Sequence, residues 1–184
     1  MMNIKKATLF VVTAGISLAL TLTGCGFSTV ATDPKASAAV ETIKPPAIDN
    51  LIKQFGEVVT YQDGVSISVA LVGPFTPTNL EYMPLGAEET AILFKVVLTN
   101  NSSEVFSPGI SSTANSGGKP ASFISDIANP DYPNLGAFPS TSLLPGQTVE
   151  FYVGYGVVDP KNITFETAPA GWGYDRAIFT NILP

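Results

Sequence analysis

The 184-residue chain contains no histidine and only one cysteine, Cys25. Histidine is the most frequent general base and transition-metal ligand, so its absence excludes Ser-His-Asp and Cys-His catalysis. A single cysteine permits no disulfide within the chain, so the fold must depend on its hydrophobic core. We therefore predict a protein that is not an enzyme and carries no cofactor.

Positive charge is also scarce. The chain has 9 Lys+Arg against 15 Asp+Glu, a formal net charge of −6. Without residues 1–24, which include Lys5 and Lys6, the balance is 7 − 15 = −8. This acidity argues against binding to nucleic acid and against docking on anionic lipid headgroups through a basic face.

The N-terminus has the organisation of a secretory signal. Lys5 and Lys6 precede the apolar run Ala7–Leu22, and the small residue Gly24 comes directly before Cys25. The run is shorter than the roughly 20 apolar residues that cross a bilayer as a helix. A cleaved signal therefore fits this segment better than an anchor helix.

Leu22-Thr23-Gly24-Cys25 resembles a bacterial lipobox. The resemblance implies cleavage between Gly24 and Cys25, with a diacylglyceryl thioether and often a further acyl chain on Cys25. Two or more acyl chains hold a protein stably on a membrane. The expected location is the extracytoplasmic face of the cell membrane. An uncleaved anchor helix and a secreted protein with a free thiol remain the alternatives.

Composition divides the chain into three segments. Residues 1–24 are the predicted signal peptide, residues 25–55 a flexible tether and residues 56–184 one domain. Prolines and small residues interrupt any periodicity in the tether, and a flexible coil of about 30 residues spans roughly 30 Å. The alternative for its last part is a short helix within Asp49–Phe55.

The domain reads as a series of strands. Asp63-Gly64 predicts a hairpin turn that joins a first strand, Glu57–Tyr61, to Val65–Leu71, which alternates apolar and polar residues. Thr90–Thr99 is apolar on nearly both faces, which predicts a central strand. Pro145-Gly146 predicts a turn into Val149–Val157, where glycines on one face would permit a close approach or a bulge.

Shorter segments complete the pattern. Further strand candidates are Val105-Phe106, Ala121–Ile127, Ala137-Phe138, Asn162–Glu166 and Arg176–Thr180. Short strands separated by regular turns predict an all-β fold, an antiparallel β-sandwich of about seven or eight strands, with an open barrel as second choice.

Three segments resemble, in order, an immunoglobulin-like domain found in many Gram-positive lipoproteins and related to a secreted mycobacterial immunoprotective antigen. They are Phe94–Ser102, which runs into Asn-Asn-Ser, Phe123–Asp126, and Leu143–Phe151, which carries Leu-x-Pro-Gly before an alternating strand. The resemblance implies an immunoglobulin-like sandwich outside the cell, in a family whose biochemical role is mostly undefined.

Four aromatic residues fall in loop-like stretches: Tyr132, Phe138, Trp172 and Tyr174. If they gather at one end of the sandwich, they form a binding platform, because exposed aromatic rings supply contact area at low entropic cost. The alternative is that they plug the ends of the sandwich.

Acidic side chains offer two further hypotheses. Asp126 and Asp131, with Asn129 or Asn134, could supply oxygen ligands to calcium, although turn capping by these side chains is the simpler explanation. The acidic loop with Glu81, Glu88 and Glu89 could supply the carboxylate pair of a hydrolase, although a solvated loop is the simpler explanation.

The expected function is a non-enzymatic binding module on the membrane. Its partner would be an envelope protein or a cell-wall polymer, met through the loops. The alternatives are a structural or accessory subunit of an envelope complex and a carboxylate-dependent hydrolase of envelope material.

Overall fold

A computed structural model describes residues 50–81 and 85–182. The predicted signal peptide, Cys25 and the tether up to residue 49 lie outside these residues. Within them ten strands form two five-stranded sheets, and no residue is helical. Accordingly, no helix in the described part of the chain has the length and apolarity to span a membrane.

The first sheet has the order β2-β3-β4-β8-β7, and all of its pairs are antiparallel. Its strands are β2 (Val58–Thr60), β3 (Val65–Pro74), β4 (Thr90–Asn100), β8 (Thr148–Val157) and β7 (Ser122–Ile124). Strand β4 pairs with β3 on one side and β8 on the other, which confirms the predicted central strand.

The second sheet has the order β1-β10-β9-β5-β6. Its strands are β1 (Ile52–Gln54), β10 (Ala177–Thr180), β9 (Ile163–Ala168), β5 (Ser111–Ser116) and β6 (Lys119–Pro120). Only the β1–β10 pair is parallel. The chain passes from the second sheet to the first at Ala121, between β6 and β7.

The core lies between the two sheets and is rich in aromatic rings. Phe94 of β4 and Phe165 of β9 are both fully buried, with ring centroids 5.0 Å apart. Tyr155 of β8 packs on Phe165 at 5.7 Å in an edge-to-face arrangement. Burial of such side chains supplies about 1.5–3 kcal/mol each, so these contacts hold the sheets together without a disulfide.

The all-β sandwich is confirmed, although it has ten strands rather than seven or eight. Strands β1, β5 and β6 were not predicted from the sequence. The predicted strands at Val105-Phe106 and Ala137-Phe138 are wrong. Ala137 and Phe138 lie in a loop, and Phe106 forms only an isolated bridge to Leu143. The helical alternative within Asp49–Phe55 is also wrong, because Ile52–Gln54 pair with β10. The last residues assigned to the tether thus form part of the sheet.

Two predicted turns depend on glycine. Gly64 has a φ of +91°, and a Cβ there would lie 2.9 Å from the Asn101 carbonyl oxygen. The neighbouring Asp63 carboxylate accepts a hydrogen bond from the Val65 amide at 3.0 Å, which fixes the start of β3. Gly146 has a φ of +80° in the turn before β8. Both positions need the left-handed conformation that glycine adopts freely.

The glycines of β8 permit a close approach on the outer face of the first sheet, as the sequence predicts. A Cβ on Gly154 would lie 2.9 Å from the ring of Phe75, and one on Gly156 would lie 2.6 Å from Leu85. The loop after β3 therefore packs directly on the β8 backbone. The register irregularity in this sheet lies elsewhere, in β3 between Leu71 and Gly73.

Candidate binding site

An open cleft of about 540 Å³ lies where the two sheets part, beside β5 and β7. This volume falls within the roughly 300–1,000 Å³ typical of ligand sites. Its lining comprises Ser112–Asn115, Pro120, Ala121, Phe123, Phe138, Tyr155 and Glu166. The cleft combines an apolar floor with a polar rim.

Three aromatic rings form the apolar part of the cleft. Phe123 and Phe138 stack with centroids 6.1 Å apart, and Tyr155 meets Phe123 at 5.6 Å. Tyr155 and Phe123 are opposite each other in the β7–β8 pair, whereas Phe138 comes from a loop. Because two of the three rings come from strands, the floor is fixed by the sheet.

One hydroxyl pair spans the cleft between the sheets. The Ser112 and Tyr155 hydroxyls lie 2.9 Å apart. Burial raises the pKa of the Tyr155 phenol, although the Ser112 hydrogen bond and the nearby Arg176 charge oppose this rise. The phenol therefore stays protonated at neutral pH and acts as a hydrogen-bonding group.

The edge of β5 also faces the cleft. Side chains on a strand alternate between its two faces, so a cleft against one face would be lined by every second residue. Four consecutive residues, Ser112–Asn115, line this cleft, so it lies against the edge of β5. β6 pairs only with Asn115 and Ser116, and Ala121 donates to the Ala114 carbonyl at 2.9 Å. Since alternate residues direct their backbone groups to the same side, the Ser112 amide and carbonyl point beyond the sheet edge.

Charge at the rim is balanced. Arg176 donates to the Thr113 hydroxyl at 3.1 Å and lies 3.7 Å from the Glu166 carboxylate. Glu166 is the sole carboxylate in the cleft lining. A glycosidase-type mechanism needs two carboxylates at a defined separation, so the lining does not supply that arrangement.

The four predicted aromatics do not gather at one place. Phe138 lies in the cleft. Tyr132 lies on the outer face of the first sheet, against Tyr152 at 5.2 Å. Tyr174 packs edge-to-face on Tyr61 at 4.9 Å. Only Trp172 projects into solvent, with 93% of its surface exposed.

Tyr174 is part of the packing at one end of the sandwich. Its ring also meets Phe106 at 5.8 Å, and its hydroxyl donates a hydrogen bond to the Asp63 carboxylate. Burial raises the pKa of the Tyr174 phenol, and the bond to Asp63 raises it further. This residue therefore closes the end of the sandwich, as the plugging alternative predicts.

Asp126 joins two loops on the outer face of the first sheet through hydrogen bonds. Its carboxylate accepts hydrogen bonds from the Thr78 amide at 2.7 Å, the Thr78 hydroxyl at 2.8 Å and the Asn129 side-chain amide at 2.9 Å. Burial acts to raise the pKa of Asp126, but these bonds outweigh it and lower the pKa. The carboxylate therefore remains ionised in the fold.

Both oxygens of Asp126 are thus engaged with protein donors. Asn129 accepts from the Asp131 amide at 3.1 Å, so these residues act as turn caps. No group of three or more His, Cys, Asp or Glu side chains in the described residues is arranged to hold a metal ion. The calcium hypothesis gains no supporting geometry.

The acidic loop is held in place by hydrogen bonds to Glu89. Glu89 accepts from the Gly86 amide and the Ser122 hydroxyl, each at 2.8 Å. Glu81 and Glu88 are exposed. None of the three glutamates lines the cleft.

Sequence reasoning missed Ser112, Phe123 and Tyr155 as site residues. Phe123 and Tyr155 were assigned to strands and hence to the core, and β5 was not recognised as a strand. The available signal was the Gly117-Gly118 turn, whose φ angles of +56° and +75° join β5 to β6. A hairpin predicted at these glycines would have placed Ser112 on a strand, close to Ala121, where the chain passes from one sheet to the other.

The described residues thus define a β-sandwich domain with an aromatic-lined cleft between its sheets. No family model matches the chain, and no curated protein matches it. The fold is similar to that of a candidate lipoprotein, ycdA, from Bacillus subtilis, with a TM-score of 0.50 and 13% identity. That match covers 64% of this chain and only 36% of ycdA. At this identity the similarity concerns the fold alone.

Two other solved structures match with lower scores. A FixG-related protein from Vibrio parahaemolyticus has a TM-score of 0.34 and 12% identity, covering 65% of this chain and 97% of that one. A β-glucosidase involved in saponin metabolism from intestinal bacteria has a TM-score of 0.33 and 18% identity, covering 70% and 17%.

Proposed function

We propose that the protein is a lipoprotein anchored through Cys25 to the extracytoplasmic face of the membrane, and that its sandwich is a non-enzymatic binding module. The lipobox-like Leu22–Cys25 supports the anchor, and the fold similarity to ycdA is compatible with it. From the sequence resemblance, we also propose that the sandwich is an immunoglobulin-like domain.

The observation that carries the binding role is the cleft between β5 and β7. It offers a hydrophobic floor, the Ser112–Tyr155 hydroxyl pair and an unpaired stretch of strand edge. Together these groups suit an elongated ligand with apolar side groups and backbone-like donors and acceptors. An envelope protein segment or a cell-wall polymer has this character.

Site-specific photocrosslinking on intact cells tests the binding role. A crosslinking residue at Asn115, in the cleft lining, should capture a discrete product, whereas one at the exposed Val72 should not. Phe138→Ala in the Asn115 background should reduce the yield, because it removes one of the stacked rings.

Two outcomes would contradict the cleft as the binding site. Equal capture from Val72 and Asn115 would favour an accessory subunit that uses a sheet face. Turnover of an envelope polymer that disappears in Glu166→Gln would instead establish an enzyme.

The anchor has a separate test. Cys25→Ser should abolish incorporation of radiolabelled palmitate and leave an uncleaved precursor, because the thioether forms on the cysteine sulfur. Ser17→Ala in the apolar run is the matched control and should label normally. Undiminished labelling of Cys25→Ser would falsify the anchor.

A further inference from the structure

Three large apolar side chains are exposed on loops at one end of the sandwich. Val105 is 60% exposed, Leu144 is 53% exposed and Trp172 is 93% exposed. We name this end the tip; it consists of residues 61–64, 101–110, 141–147 and 169–175. Single exposed apolar residues are common on soluble domains, but apolar residues grouped on one surface mark a contact site.

The tip loops are joined by direct contacts. Phe106 and Leu143 form an antiparallel bridge, with hydrogen bonds of 2.9 and 2.7 Å between their backbones, so Val105 and Leu144 are neighbours. The Gly109 amide donates to the Pro169 carbonyl at 3.1 Å, which brings in the loop with Trp172. The three exposed side chains thus lie on loops that contact one another.

The base of the tip is firmly packed. The ring of Tyr174 meets the rings of both Tyr61 and Phe106, and the buried Tyr61 hydroxyl donates to the Asp175 carbonyl at 2.7 Å. Trp172 therefore projects from an ordered platform.

The N-terminal segment joins the domain at the same end. Strand β1 runs parallel to β10, and the Ile178 amide donates to the Leu51 carbonyl at 2.8 Å. β10 begins at Ala177, directly after the tip loop with Trp172. In the sequence, the 24 residues 26–49 separate this point from Cys25. The tip is therefore the end of the sandwich at which the chain enters the domain from Cys25.

We propose that the tip rests on the lipid surface that holds Cys25, with Trp172 in the headgroup region and Val105 and Leu144 beside it. This inference depends on the lipid anchor proposed above. Tryptophan favours the membrane interface, where an apolar ring and a polar N–H both find suitable surroundings. The tip would orient the sandwich on the membrane.

The charges of the tip define the kind of lipid. Its loops carry Asp63, Glu104 and Asp175 but no lysine or arginine. Arg176, the next residue along the chain, lies beside Glu166. The contact is therefore apolar rather than electrostatic, and headgroups without net charge suit it best.

Trp172 is the only tryptophan in the chain, so intrinsic fluorescence reports on the tip alone. The lipidated mature protein, which begins at Cys25, would be incorporated into phosphatidylcholine vesicles. We expect the Trp172 emission to shift to shorter wavelength relative to the protein in which the tether has been cut. We also expect quenching by lipids that carry a doxyl group near the headgroup, and protection from aqueous acrylamide.

A variant with the probe at the opposite end provides the control. Trp172→Phe combined with Val72→Trp moves the tryptophan to an exposed position near the end of β3 that lies away from the tip. Its emission should be the same before and after the tether is cut.

The outcomes separate the two proposals. If the protein does not float with the vesicles, the anchor itself fails. If it floats but Trp172 remains accessible to acrylamide and unquenched by doxyl lipids, the anchor stands and the membrane contact is overturned. The tip would then be free for a protein partner.

Discussion

The cleft and the tip are both apolar surfaces, but they are built in different ways. Two of the three rings in the cleft come from β7 and β8, and Tyr155 also belongs to the core between the sheets. The tip takes its exposed side chains from loops, and Trp172 touches little of the domain. Substitutions in the cleft are therefore expected to change both folding and binding. Substitutions at the tip can change the contact with the membrane and leave folding unaltered.

The largest expected effect is at Tyr155. Tyr155→Ala removes a ring that is 2% exposed and contacts Phe94, Phe123 and Phe165, so we expect a loss of about 3–5 kcal/mol in the free energy of unfolding. Tyr155→Phe keeps the ring and leaves the Ser112 hydroxyl without its partner, so about 1 kcal/mol is expected. Urea denaturation measures both. Similar losses in the two variants would mean that the hydroxyl pair, and not the packing of the ring, supplies most of the stability that Tyr155 contributes.

A smaller effect is expected outside both regions, at Asp126. Asp126→Asn weakens the bonds from Thr78 and Asn129, so we expect a loss of about 2–3 kcal/mol. Because the folded-state pKa of Asp126 is lowered, its contribution is present above the ordinary value near 4 and is lost as the pH falls below it. The difference between wild type and variant should therefore shrink in acid. A difference that is constant from neutral to acidic pH would contradict this account.

Tyr174→Phe tests the base of the tip. It removes the hydrogen bond to Asp63 but keeps the ring contacts, so about 1 kcal/mol is expected. The folded-state pKa of the Tyr174 phenol is raised, so its stabilisation is complete below its ordinary value near 10 and is lost as the pH rises above it. Denaturation at neutral and alkaline pH measures this loss, and the variant should show the smaller decline. An equal decline in both proteins would rule out Tyr174 as its source.

The smallest effect is expected at the outermost side chain of the tip. Trp172→Gln should change the free energy of unfolding by no more than about 0.5 kcal/mol, because the ring is almost wholly exposed. Thermal denaturation measures this, with Tyr174→Phe as the comparison at a neighbouring, half-buried ring. A loss as large as that of Tyr174→Phe would show that Trp172 packs on the domain and would remove the contrast with the cleft.

The strands predicted from sequence are those with strong apolar alternation. Val65–Leu71 falls within β3, and the turn at Pro145-Gly146 leads into β8 as expected. Strand β5 was missed because Ser111–Ser116 consists of serine, threonine, alanine and asparagine, which carry no apolar period. It forms a strand because β9 supplies a continuous backbone ladder across all six residues. That partner is distant in sequence and invisible to local patterns.

The candidate site was less predictable than the fold. Phe138, Trp172 and Tyr174 all look alike as loop aromatics, yet one lies in the cleft, one projects and one packs on Tyr61. Loop position does not specify which ring is buried, because burial depends on residues more than a hundred positions away, as with Tyr61 and Tyr174. The cleft itself requires both sheets and their separation at Ala121.

The parallel pairing of β1 with β10 has a mechanical consequence. A pull on the N-terminal segment reaches the domain first at β1 and acts along the strand, so it loads the short β1–β10 ladder in shear rather than peeling its bonds one at a time. At the far end of β1, the Phe55 amide bonds to the Thr180 carbonyl at 3.3 Å and the Phe55 ring lies 5.6 Å from that of Phe94. Under tension β1 would detach as a unit, and the sandwich beyond it would bear the load only afterwards.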